Sequence, residues 1–202
     1  MISKLNDIKR RVFLLCALFL SISAVANASF VVVNDEIISQ KVTQKINTMG
    51  SELFTNTGIS VYVALPQSLE KKSIFEYEKE ISLKLRKPYV LLTIAKNEEQ
   101  LDILYTQGLE KRFDKEAVLS PFPWSGTILP ILTQKKENDQ YNAATLNGYA
   151  DIVEQIAKSY NVKLQSAIGN TNKNIYLYLK IIIYGFLLIV IGKYLYKKMG
   201  KR

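Results

Sequence analysis

Residues 57–65 read Thr57-Gly58-Ile59-Ser60-Val61-Tyr62-Val63-Ala64-Leu65, and residues 89–95 read Tyr89-Val90-Leu91-Leu92-Thr93-Ile94-Ala95. Both runs are short, rich in β-branched side chains and apolar almost throughout, which marks them as buried strands. Pro66 ends the first and Pro88 precedes the second. Upstream, Ile38, Val42, Ile46, Met49 and Leu53 recur at spacings of four and three, so one helix is predicted over 36–55 and closed by Gly58. Between the strands, Ile74, Tyr77, Ile81 and Leu85 mark a second amphipathic helix. Pro88 stops it, because the residue before a proline avoids the helical conformation. After the polar turn Lys96-Asn97-Glu98-Glu99, the segment 100–106 alternates as Leu101, Ile103 and Tyr105, a half-buried strand paired to 89–95 as a hairpin. Leu146, Tyr149, Val153 and Ile156 predict a last helix over 141–160. Helix, strand, helix, strand, strand, helix is the order of an α/β domain with helices on both faces of its sheet, a three-layer α/β/α sandwich.

Charge separates this domain from its flanks. The chain has 202 residues, with 27 Lys plus Arg against 18 Asp plus Glu, a formal net charge of +9. Residues 29–172 hold 16 basic and 17 acidic side chains, so the surplus lies in the two ends. A nucleic-acid-binding domain would carry its cations on the folded part, and that class is set aside. Histidine is absent and Cys16 is the one cysteine. Ser-His-Asp and Cys-His catalysis are thereby excluded, as is every metal site that requires imidazole.

Both ends read as membrane signals. Lys4, Lys9, Arg10 and Arg11 precede an apolar run over 12–25, followed by Ala26-Asn27-Ala28, the small-x-small pattern of a signal peptidase site. Residues 1–28 are thus expected to be a signal peptide cleaved before Ser29, which removes Cys16 and leaves no disulfide chemistry. Ile175 to Tyr196 is apolar over about 33 Å of helix, enough to cross a bilayer. Tyr176, Tyr178, Tyr194 and Tyr196 flank it as interfacial aromatics. Lys193, Lys197, Lys198, Lys201 and Arg202 should hold the C-terminus, with its basic tail 197–202, in the cytoplasm. The expected organisation is an exported domain over 29–160, a polar tether over 161–174 and a single transmembrane helix over 175–196. The expected location is the inner membrane, with the domain in the periplasm.

Three runs carry a family resemblance: Thr57 to Ala64, Tyr89 to Ile94, and Gly108-Leu109-Glu110. In that order, with Pro130 inside a helix and Tyr141 to Gly148 opening the last one, residues 34–160 resemble the TPM-domain family. That family is known from a plant thylakoid-lumen protein, a photosystem II repair factor and a nematode receptor auxiliary subunit. The resemblance implies a compact α/β/α sandwich, often exported and often tied to a membrane by a terminal helix. It also implies calcium binding in some members and weak acid phosphatase activity in plant ones. The family's Asp-Asp-Arg motif reads Asn97-Glu98-Glu99 here, its Gly-Asp-Tyr reads Asp139-Gln140-Tyr141, and a usual glycine is Thr106.

Without His or Cys, a metal in the exported domain would be a hard cation on oxygens, most plausibly Ca²⁺. Candidate ligands are Asn97, Glu98, Glu99 and Asp102 around the hairpin, and Glu137, Asn138 and Asp139 before the last helix. The competing reading is that Glu98 and Glu99 solvate a hairpin tip while Asn138 or Asp139 caps a helix. No phosphate loop is present, and the domain's arginines are Arg86 and Arg112 alone. Pro121-Phe122-Pro123-Trp124-Ser125-Gly126 is the most unusual segment, a stiffened loop with two aromatic rings. These are either partner-binding anchors or filler between sheet and helix, Phe122 leaning towards burial. The leading expectation is an accessory domain that binds or assists another envelope or membrane protein. The alternative is a weak, Ca-dependent acid phosphatase.

A reporter active only in the periplasm should work when fused at Lys163 and fail when fused after Arg202. Activity at the second fusion would reverse the assigned orientation.

Overall fold

The structure, a computed structural model, describes residues 29–133, 139–168 and 180–193. Its centre is a four-stranded sheet in the order β1-β2-β3-β4. Strands β1 (Val31–Asn34), β2 (Ser60–Leu65) and β3 (Tyr89–Ala95) are parallel, and β4 (Gln100–Tyr105) returns antiparallel to β3. Parallel neighbours require crossovers. Helix α1 (Gln40–Thr57) supplies the first and α2 (Ile74–Ser82) the second. Two short helices, α3 (Lys115–Leu119) and α4 (Leu129–Leu132), then lead to the long α5 (Gln140–Ser159). Pro130 lies in the first turn of α4, where its missing N–H costs nothing.

The side-chain period of two divides the interior. On β3, Val90, Leu92 and Ile94 join a large core with Ile46, Met49 and Leu53 of α1 and Ile152, Val153 and Ile156 of α5. Tyr89 and Leu91 face the other way, into a smaller cluster with Tyr77 and Ile81 of α2, Leu85 and Leu104. Every residue of β3 is buried. The expected helices on both faces are therefore present, two long ones over one face and the shorter α2 over the other.

Strand β1 is absent from the sequence reading. Its four residues are too few to show a period and stand within a few residues of the apolar leader. The predicted start of α1 at residue 36 also shifts. Asn34 Oδ1 accepts the N–H groups of Ile37 (3.0 Å) and Ile38 (3.1 Å), which folds these residues into a turn. Ile38 is buried all the same, and Ser39 caps α1 by accepting from Val42 N–H at 3.4 Å. At the other end, Gly58 closes the helix with φ 73° and donates to Phe54 O.

Tyr149 fastens α5 to the sheet. Its ring is fully buried, and together with Phe30 it fills the place where a Cβ on Gly50 would stand. Val63 N–H donates to Phe30 O at 2.8 Å, so Val61, two residues earlier, turns its carbonyl to the same edge. There β1 has not yet begun, and Tyr149 Oη donates to Val61 O at 3.0 Å in place of a strand.

The domain runs past its expected end at 160. Val162 N–H donates to Ala157 O, and Leu164 is buried against the core. Glu52 on α1 then accepts from Gln165 N–H at 2.6 Å, from Ser166 N–H at 2.8 Å and from the Ser166 hydroxyl. The Ser166 hydroxyl, with those two amides, holds the Glu52 carboxyl below the usual range. The polar stretch expected as tether from 161 is thus part of the folded domain as far as Ser166, because alternate apolar side chains within it find the core. Residues 180–193 are helical with exposed apolar side chains. Among the described residues no helix is both long and apolar enough to cross a membrane, and the rest of the expected span, like residues 1–28, lies outside them.

Tyr149→Phe should lower stability by about 1–3 kcal/mol, since it leaves the buried Val61 carbonyl without its donor. The expected readout is a lower urea midpoint at unchanged slope. An unmoved midpoint would show that the hydroxyl does not hold α5 to the sheet.

Candidate functional site

Because β1, β2 and β3 are parallel, their carboxyl ends share one pole of the domain, where open α/β sheets place their ligand sites. The loops following β1, β2 and β3 meet there with the start of α5. Asp35 Oδ2 accepts from Gln67 N–H at 2.8 Å, and Asn97 Oδ1 accepts from Gln67 Nε2 at 2.9 Å. Glu98 Oε1 takes the Ser68 hydroxyl at 2.7 Å and Leu69 N–H at 3.0 Å. Those bonds, the Ser68 hydroxyl first, hold its carboxyl below the usual range. Its Oε2 is buried without a partner. Glu99 is exposed, with φ 50° at the tip of the hairpin.

The second candidate turn does adjoin the first. Lys96 Nζ stands 5.7 Å over the ring of Tyr141, and burial followed by the Glu99 charge raises that phenol. Asp139 occupies the N-cap position of α5 without capping it. Its Oδ1 accepts from Asn142 Nδ2 at 2.6 Å, and Asn142 Oδ1 accepts from Ser39 N–H at 2.8 Å, which ties α5 to the start of α1. Asp102 is drawn elsewhere: its Oδ1 is paired at 2.6 Å with Lys115 of α3. Glu137 and Asn138 lie outside the described residues.

Among the described residues the candidate ligands do not gather the six to eight oxygens that a calcium ion needs: Glu98, Asp102 and Asp139 each accept from a different protein donor. No three acidic side chains gather to hold a metal among the described residues. The bland alternative also needs amendment, since Glu98 braces the 66–69 loop rather than facing solvent and Asp139 orients Asn142 rather than capping a helix.

A different acid, Glu78 of α2, is the most perturbed carboxyl. It faces the sheet over Thr93 of β3 and Asp102 of β4, which lie opposite each other in the ladder. Glu78 is 0% exposed, neither of its oxygens has a hydrogen-bond partner, and Thr93 Oγ1 also lacks one. Burial pushes the carboxyl up to about 7, with the Asp102 charge adding to the rise while Thr93 and Lys115 oppose it. The signal was present in the sequence. Ile74, Glu78, Ile81 and Leu85 share one helical stripe, and the acid stands at a core position of it. Sealed from solvent, Glu78 cannot touch a substrate; it lies in the seam between α2 and the sheet.

The Phe122–Trp124 loop leaves both rings in solvent, at 53% and 55% exposure, so the expected burial of Phe122 is overturned. The rings stack on each other, with centroids 4.9 Å apart and planes 14° from parallel. Each therefore covers one face of the other, and neither needs the core. Gly126 N–H donates to Phe122 O at 2.7 Å, Ser120 Oγ and Ser125 Oγ stand 2.6 Å apart, and a Cβ on Gly126 would collide with Ser120 O. These contacts close the loop on itself. Of the expected cleavage residues, Ala26 and Ala28 are outside the described set, while Ser29 is exposed and its hydroxyl donates to Val31 O at 2.7 Å.

Glu78 sets a pH dependence whose sign is fixed. The folded state holds its proton up to about pH 7, whereas the unfolded chain loses it near 4.5. Stability should therefore fall as pH rises between these values, by on the order of 3 kcal/mol, and level off above. Glu78→Gln should flatten that slope and stabilise the domain at pH 8. A variant with the same slope in urea titrations would remove Glu78 as its source.

Comparison with known proteins agrees with this architecture. No curated protein matches the chain. Among solved structures, the N-terminal domain of a P. gingivalis protein, determined in solution, aligns with a TM-score of 0.55 at 11% identity, over 70% of this chain and 90% of that one. The BA42 protein of the psychrophilic bacterium Bizionia argentinensis aligns with a TM-score of 0.45 at 16% identity, over 69% of this chain and 94% of that one. The first likeness is one of fold alone. A family model described as the TPM domain matches residues 31–155, from β1 nearly to the end of α5, and the chain belongs to that family.

Proposed function

We propose that this TPM domain is a membrane-anchored, periplasm-facing accessory module that holds another envelope or membrane protein through the Phe122–Trp124 loop. One observation carries the reading: two large aromatic rings stand exposed on a loop closed on itself. Aromatic side chains are the commonest interface anchors. A preformed loop also loses little entropy on binding. The leader-like residues 1–28 and the apolar stretch 175–196 support the membrane address. The hydrolytic alternative would route chemistry through carboxylates at 97–102 and 137–139, and of those within the described residues Glu98, Asp102 and Asp139 are each turned to a different structural task.

The test uses the full chain as bait in detergent-extracted membranes after crosslinking. A partner should be recovered reproducibly, and Phe122→Ala/Trp124→Ala should reduce its recovery about thirtyfold, the effect of losing roughly 2 kcal/mol of contact. The double variant should keep the parent's unfolding midpoint, because neither ring supports the core. Equal recovery with the variant, or a chain found alone that releases phosphate from a substrate, would overturn the proposal.

A further inference from the structure

The near-zero charge of the exported domain conceals a division between its two poles. At the carboxyl pole the described loop residues include Asp35, Glu36, Glu70, Glu98, Glu99 and Asp139, against Lys71, Lys72 and Lys96. The opposite pole collects the end of α1, the 83–88 turn before β3, the segment after β4 and the end of α5. Hydrogen bonds fix this assignment: Ser60 N–H donates to Pro88 O, Thr106 N–H donates to Tyr89 O, and the Arg112 side chain donates through Nη1 to Ser159 O. Exposed at this pole are Lys84, Arg86, Lys87, Lys111, Lys158 and Lys163. Arg86 lies flat on Phe54, 4.5 Å from the ring centroid, and Arg112 on Tyr160 at 4.3 Å. Their planes are thereby braced while the cations remain at the surface.

The acids of this pole offset only part of that charge: Glu52, Glu110, Asp114 and Glu116 stand against Lys84, Arg86, Lys87, Lys111, Arg112, Lys158 and Lys163. Three of these acids are turned to the backbone, where Glu110 accepts Gly108 N–H with both oxygens, Glu52 takes Gln165 and Ser166, and Asp114 caps α3. Among the cations stands Leu83, at 82% the most exposed large apolar side chain of the domain, with Tyr160 and Ile168 each 39% exposed. A leucine and a tyrosine set among lysines suit the boundary between headgroups and acyl chains.

The position of the chain's exit selects the occupant. The folded segment is clamped to α1 near this pole at Ser166, and the described part of the apolar helix starts at Lys180. From Ile168 to Lys180 the chain can reach at most about 40 Å. A bilayer holding that helix is therefore within reach of this pole. We infer that the basic pole around Lys84, Arg86, Lys87, Lys111, Lys158 and Lys163 docks on anionic lipid headgroups. This rests on the membrane anchor proposed above. It orients the domain upright, with the carboxyl pole facing away from the membrane.

The test places the full chain in vesicles of phosphatidylcholine, alone or mixed with phosphatidylglycerol, and follows hydrogen exchange at the amides of Leu83, Lys84, Arg86 and Lys87. Exchange should slow on the mixed vesicles and recover at high salt. Replacing Lys84, Lys87, Lys158 and Lys163 by Gln should lower the docked fraction about fivefold per cation. The parent's unfolding midpoint should be kept. Exchange that ignores lipid charge overturns the docking, as does a Gln variant that still docks. Retention of the chain through alkaline extraction is scored separately. A chain that washes off overturns the anchor, while exchange on added vesicles still decides the docking.

Discussion

β3 has no side turned to water: it is paired on both edges and covered on both faces, and the remainder of the domain is arranged to keep it so. Its pairing with β2 is parallel, and a parallel pair cannot be closed by a tight turn. The chain must cross over, and the crossovers place α1 on one face and α2 on the other. Strand direction then sorts the loops into two poles, one receiving the ends of three strands and the other the ends of three helices. The acidic and basic poles, the clamp at Glu52 and the exit of the chain all follow from that arrangement.

The two faces are not equal. The face under α1 and α5 holds a broad aliphatic core with Tyr149 and Phe30 at its centre. The face under α2 buries Ala64, Tyr89 and Leu91, with a few half-buried neighbours, and includes a carboxyl without a hydrogen bond. A buried polar group without a partner costs about 1–3 kcal/mol. A carboxyl that keeps its proton lowers that cost, and Glu78 is the group through which pH would reach this layer.

Much of this architecture was legible in the sequence, for a physical reason. β2 and β3 are apolar on both faces and so announce burial, while α1 and α5 carry stripes of four and three that only a helix aligns. β1 was not legible, since Val31 to Val33 are too few to show a period and stand within a few residues of an apolar leader. Glu78 was legible only by position: it stands on the stripe of Ile74, Ile81 and Leu85, but Glu76 and Glu80 on either side make an acid there look ordinary. The carboxylates at 97–102 and 139 drew attention by composition, but their ladder positions and donors disperse them. Phe122 was misjudged because nothing in a linear reading shows that two rings can stack on each other and both stay in solvent.

The clamp between Glu52 and Ser166 also decides how the domain carries load. Without it, tension on the C-terminal segment would enter at Tyr160 and peel α5 from its end, one turn after another. With Leu164 packed and two amides and a hydroxyl held by one carboxylate, the pull is delivered instead to the flank of α1, near its last turns. Bonds that share a force yield at higher tension than bonds loaded in succession. The clamp therefore works as a strain relief, like the grip where a cable enters a housing, and α5 with its Tyr149 fastening is spared the first share of any pull.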